Sequence, residues 1–325
     1  MRCKVYSIHS KISGQPHLSA LSATGFLSIC LFIVGCSLSP LAKHATAFSQ
    51  ATGIVIDRSE DAYRAAIKLR HEEQIAAAVY AYDKNPTWSP YRDVEPLLTP
   101  DQLDARLTIL EGLKTYAASL VELTEKRSSK DATALNAAAA GVGTNLKALN
   151  QNIATDLSTA IPHVPVMSAA TANGVSTAVV ALGDYLIARK VKGSLPKVTQ
   201  EMNPSVLTLC ELLNSDIVIL RRQADVDYQL LVTDQDQFIR HQGTALNPIQ
   251  HRDQVGELLD IAAQQKANDD LLAKLQKAIH TLAVAHQALA AAAQGNNSES
   301  IQQKIIELEA AGQDLGTFYQ SLPKQ

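Results

Sequence analysis

Apolar residues recur along most of this chain at steps of three and four, the spacing that lines one face of an α-helix. From about Ser59 to Asp83, the residues Tyr63, Ile67, Ile75, Val79 and Tyr82 keep that register, while Arg64, Lys68 and Glu72 fall elsewhere. The pattern stops at residues 83–90, where the positions before Pro86 and Pro90 are driven away from helical backbone. It resumes with Thr99 as a suitable N-cap and Pro100 at the first helical position, where its missing N–H costs nothing. Leu103, Leu110, Leu113, Ala117 and Leu120 then form a nearly heptad seam as far as Lys126.

Further segments follow. Residues 132–157 are Ala-rich, with Gly141 and Gly143 in the middle; these weaken an isolated helix by about 1 kcal/mol each but allow a neighbour to come close. Residues 169–192 hold the most apolar stretch outside the N-terminus and are expected at the centre of the core. A long helix is expected from about Pro204 to Arg240, with Leu209, Leu213, Ile217, Leu220, Ala224, Leu231 and Phe238 inward. Another starts with Asn247 as N-cap and Pro248 as first residue and continues to about Ala293. Its seam runs Leu258, Ile261, Leu272, Leu275, Ile279, Leu282, Leu289, with Gln265, Asn268 and His286 as polar exceptions. Gly256 is the place where a bend or interruption is expected. Residues 299–321 form the last helix. With short connections and no strand pattern, the fold class is all-α: one elongated antiparallel helical bundle with long coiled-coil-like helices.

The N-terminus reads differently. Arg2, Lys4 and Lys11 precede an apolar run from Phe26 to Val34, which ends at Gly35 and Cys36. A positive flank, a short apolar core and small residues at its end are the layout of a secretory signal. The run is shorter than the roughly 20 residues a membrane-spanning helix needs. Ile33-Val34-Gly35-Cys36 resembles the lipobox of bacterial lipoproteins, with Ile where Leu is commoner. The resemblance implies cleavage before Cys36, lipid attachment at its sulfur and, with Ser37 following, a place on the outer membrane facing the periplasm. The expected organisation is a signal peptide over 1–35, a flexible tether over 36–53 and a single helical-bundle domain over 54–325.

Such cleavage turns 29 Lys+Arg against 32 Asp+Glu into 26 against 32, because Arg2, Lys4 and Lys11 leave. A mildly acidic chain without a basic stripe is a poor match for nucleic acid. Cys3 and Cys30 also leave, so Cys210 is the one thiol besides Cys36, and it lies among apolar neighbours where a buried, inert thiol is expected.

The search for chemistry gives little. HExxH, GxSxG, a P-loop and CxxCH are missing, and no cofactor or metal is expected. His71, Glu72 and Glu73 point in different directions on a helix and read as a solvated charged face, as do Asp225, Asp227, Asp234 and Asp236. His286, on the apolar seam, reads as a hydrogen-bonded core histidine. Tyr80, Tyr82, Trp88 and Tyr91 gather among prolines as a candidate interaction loop, or as rings plugging the end of the bundle. The favoured role is a non-enzymatic lipoprotein acting through protein contacts or as a spacer, its membrane contact made through the N-terminal lipid. One alternative is a ligand-binding or enzymatic bundle using His286, Gln265 and Asp184. Another is a membrane-active protein that releases residues 175–188.

Overall fold

A computed structural model describes residues 40–85, 87–89, 94–124, 129–149, 168–188, 194–242, 245–292 and 298–321. These all belong to one compact unit, Leu38–Gln325. Among the described residues there are seven α-helices and no strand: α1 (Pro40–Lys84), α2 (Pro100–Glu122), α3 (Ser129–Leu149), α4 (Ala169–Ile187), α5 (Leu195–Gln242), α6 (Pro248–Ala292) and α7 (Ser298–Ser321). The protein is all-α.

Three helices set the length of the molecule: α1 and α6 have 45 residues each and α5 has 48. At 1.5 Å per residue each spans on the order of 70 Å. α5 and α6 form an antiparallel hairpin, tied by Arg221 to Asp269 and by Gln235 to Gln254. α1 runs parallel to α5, as the successive pairs Tyr63–Asp216 and Arg70–Asp227 show. α7 returns along α6 and also packs on α1. α2 covers another side of α1, while α3 and α4 form a smaller hairpin against α2 and α5.

The starts of α2 and α6 follow from their caps. Thr99 Oγ1 accepts from the Gln102 N–H at 3.3 Å, and Gln102 Oε1 accepts from the Thr99 N–H at 2.9 Å. Asn247 Oδ1 accepts from the N–H groups of Ile249 and Gln250, and Gln250 Oε1 accepts from the Asn247 N–H. Each arrangement satisfies otherwise orphaned donors reciprocally. α6 passes through Gly256 without interruption.

Two expectations are corrected at helix starts. Residues 40–53, expected to be flexible tether, are the first turns of α1. Ala42, Ala45, Phe48, Ala51, Val55 and Ile56 are all buried there, and Phe48 lies against the His286 ring at 5.7 Å between centroids. Small side chains hid the stripe, because Ala carries a weak hydrophobic signal but suits close packing. Likewise α5 begins at Leu195, with Pro204 inside it rather than at its start. Buried Leu195, Val198 and Met202 hold the early turns. Pro204 and Gln200, one turn before it, are both exposed, so the carbonyl that loses its helical donor faces water, where the loss is cheapest.

α3 and α4 cross where Gly143 meets Gly183. A Cβ at Gly143 would stand 2.7 Å from the Gly183 carbonyl oxygen, and one at Gly183 2.9 Å from that of Gly143. Only hydrogen fits at either position, so this pair of glycines sets the approach of the two helices.

Candidate functional site

Among the described residues, the end of the bundle that carries Lys84, Gln242 and Pro248, here the distal end, is built from fewer helices than the rest. α2 begins only at Pro100, and α7 ends at Ser321. The inward seams of α5 and α6 nevertheless run on. Leu272, Leu275, Ile279 and Leu282 are buried, but Leu258 and Ile261 of the same seam are half-buried, as are Leu231 and Phe238 of α5. On α1, Ile75 and Val79 are exposed at 53% and 59%, although their spacing places them on the inward face. That expectation is corrected: the stripe outruns the helices that would cover it.

The result is a cleft of about 980 Å³ between α1, α5 and α6. Its apolar wall comes from Ile75, Val79, Tyr228, Leu231, Phe238 and Ile261. Its rim is acidic: among the described lining residues, Glu72, Asp234, Asp253, Glu257 and Asp260 accompany one cation, Arg252. Burial pushes the Asp234 carboxyl up from its ordinary value. The volume lies in the range of sites that take a ligand or a side-chain cluster from a partner.

A largely buried ion cluster backs this end. Arg70 Nη1 donates to Glu73 Oε2 and to Asp227 Oδ1, both at 3.0 Å, and Gln223 Nε2 donates to the same Asp227 oxygen at 2.8 Å. Glu73 is 6% and Asp227 1% exposed, which corrects the reading of both as parts of solvated faces. Burial pushes both carboxyls up, against the pull of Arg70. His71 and Glu72 remain exposed.

Two further polar groups lie in the bundle's interior. Arg106 of α2 donates from Nε to Asp216 Oδ2 of α5 at 2.7 Å and from Nη1 to the Gln102 carbonyl. Tyr63 of α1 donates to the same Asp216 oxygen at 2.9 Å, so one carboxylate joins three helices. Towards the other end, His286 is fully buried, with Nε2 2.8 Å from Tyr116 Oη and Nδ1 3.0 Å from Asn203 Oδ1. Burial pushes its imidazole down to about 3. The neutral ring accepts a hydrogen bond from Tyr116 and donates one to Asn203, an arrangement that fixes register and offers no exposed reactive atom.

The three residues considered for a core pocket do not converge. Asp184 is exposed and pairs with Lys147 at 2.7 Å, Gln265 donates to Asp225 on the outside of the α5–α6 hairpin, and His286 is sealed. Val175, Val179, Leu182 and Leu186 of α4 are packed in the core, and no described helix is long and apolar enough to cross a membrane. Among the described residues no group of three or more His, Cys, Asp or Glu could hold a metal ion.

Of the aromatic loop, Tyr80 and Tyr82 belong by backbone to α1, and Trp88 is half-buried in a turn where its N–H donates to the Asn85 carbonyl. Tyr91 lies outside the described residues, as does Cys36. The chain matches no family model, no curated protein and no solved structure. Sequence reasoning missed the cleft, and the signal was present: Ile75 and Val79 extend an apolar stripe of α1 beyond the described end of α7, the helix that covers the same face nearer Ala51 and Ile54.

Proposed function

We propose that the protein is an outer-membrane lipoprotein, anchored through Cys36, whose bundle is a stiff stalk carrying a non-enzymatic binding cleft away from the lipid. The observation that carries this reading is the continuity of α1. It starts four residues after Cys36 and runs unbroken to Val79 on the lip of the distal cleft. At 1.5 Å per residue that is on the order of 60 Å between the anchor-proximal end and the cleft. The lipobox-like Ile33-Val34-Gly35-Cys36 supplies the attachment, and several acyl chains on one cysteine give stable anchoring where a single chain does not. Only three residues separate Cys36 from the start of α1 in the sequence, which supports a spacer over a domain on a long linker.

The test is made on protein extracted from cell membranes. Intact-mass spectrometry is expected to show a chain beginning at Cys36 with added acyl groups, and Cys36→Ala is expected to release the protein from the membrane fraction. A mature chain starting elsewhere, or an unmodified Cys36, overturns the anchoring.

A further inference from the structure

Over the proximal part of the bundle, the groove between α1 and α6 is filled by α7. Ile301, Ile305, Leu308 and Leu315 are buried in it, Gly312 lies against Ala51 and Ile54 of α1, and Asp314 accepts from Lys274 of α6 at 2.7 Å. Lys274 also stands over the Phe318 ring, near the end of α7. Past the described end of α7 at Ser321 the same two helices continue, and among the described residues the space between them is the distal cleft. Its walls are the turns of α1 around Ile75 and Val79 and the stretch of α6 from Arg252 to Gln264. The cleft is thus a further length of a groove already shaped to hold a helix by an apolar stripe at three–four spacing.

Charge distinguishes what fits it. Among the described residues, five acidic side chains line the cleft against one Arg. Glu72 is paired with Lys68 one turn away, and Asp253 with its neighbour Arg252. Glu257 and Asp260, both exposed, form no ion pair among the described residues. An occupant that covers Ile75 and Val79 brings its own edge beside these carboxylates, and like charge there would be repelled. We propose that the distal cleft receives a basic amphipathic helix from a partner protein, seated in line with α7. Its apolar stripe covers Ile75, Val79 and Ile261, and its Lys or Arg residues face Glu257 and Asp260. The stretch from Arg252 to Gln264 is about 18 Å long, which sets the bound helix at about three to four turns. This rests on the reading of the distal cleft as a binding site.

The experiment uses the full-length chain and two synthetic peptides of about 14 residues. Both carry leucines at three–four spacing, one with Lys and one with Glu at the polar positions. Fluorescence anisotropy is expected to show binding of the Leu/Lys peptide. The affinity should fall at least about tenfold for the Leu/Glu peptide, for Glu257→Gln with Asp260→Asn, for Ile75→Ser with Val79→Ser, and in about 0.5 M salt. All four substituted residues are exposed, so unchanged thermal unfolding serves as the control for folding. Equal binding of both peptides, or Leu/Lys binding indifferent to the cleft substitutions, overturns the proposal. Nile red separates the two levels of failure. Dye fluorescence that depends on Ile75 and Val79, without Leu/Lys binding, removes the basic-helix partner and leaves the cleft as a binding site. Neither dye nor peptide binding overturns both.

Discussion

Arg106 and Asp216, 110 residues apart, form an ion pair at 2.7 Å with side chains only 1% and 7% exposed. Burial alone would pull the guanidinium down, but Asp216 and Tyr63 hold it above its ordinary value, so the cation persists inside the bundle. Removing one member strands the other charge. Arg106→Met is therefore expected to cost about 3–5 kcal/mol, measured by chemical denaturation. Arg106→Met combined with Asp216→Leu should cost clearly less than the single change, because neither charge is left behind. A double variant as unstable as the single one would mean that the pair stabilises on its own account.

His286 gives a pH dependence with a definite sign. Its folded-state value of about 3 lies below the ordinary 6.5, so unfolding takes up a proton at mildly acidic pH. Stability contributed by the neutral ring is present above about 6.5 and is lost as pH falls towards about 3. His286→Gln is expected to flatten the slope in that window by on the order of 1 kcal/mol per pH unit, read from denaturation midpoints. Glu73 and Asp227 work in the other direction. Their raised values mean that the penalty for burying them charged is relieved as pH drops, so Asp227→Asn with Glu73→Gln should steepen the acid loss.

Gly143→Ala forces a methyl group to 2.7 Å from a backbone oxygen that cannot swing aside. A loss of about 1–3 kcal/mol is expected, or a measurable separation of α3 from α4. Gly141→Ala, two residues earlier with open space around the new Cβ, should be neutral or stabilising by up to about 1 kcal/mol. Thermal melts of the two variants, compared side by side, check the crossing directly.

Cys210 is buried, and burial pushes its thiol up to about 12. Iodoacetamide applied to the native protein, followed by peptide mass mapping, is expected to leave Cys210 unlabelled. Labelling should become complete in denaturant. Fast native labelling would mean that α5 opens around this residue on the timescale of the reaction.

How much of this was legible depends on how far apart the deciding residues lie. The starts of α2 and α6 could be read from Thr99-Pro100 and Asn247-Pro248, because capping is settled within four residues. The cores of α5 and α6 followed from Leu209, Leu213, Leu275 and Ile279, whose spacing is local. Arg106 carried no signal in the sequence, since nothing near it announces an aspartate on another helix. Asp227 failed for the same reason, its burial being decided by Arg70 across the α1–α5 contact. Ala42, Ala45 and Ala51 keep helical spacing but are too small to stand out from a linker. Ile75 and Val79 looked inward by spacing and are exposed by architecture, because only the lengths of α2 and α7 decide where cover ends.

The unbroken run of α1 has a mechanical consequence. It lies side by side with α5, itself continuous past Pro204, and the two are fastened at Tyr63–Asp216 and again at Arg70–Asp227. Tension drawn along α1 from Pro40 to Val79 meets helix throughout, and it loads these two fastenings to α5 as well as the hydrogen bonds of α1 itself. Such a strut passes force along its length with the load shared between two neighbouring helices.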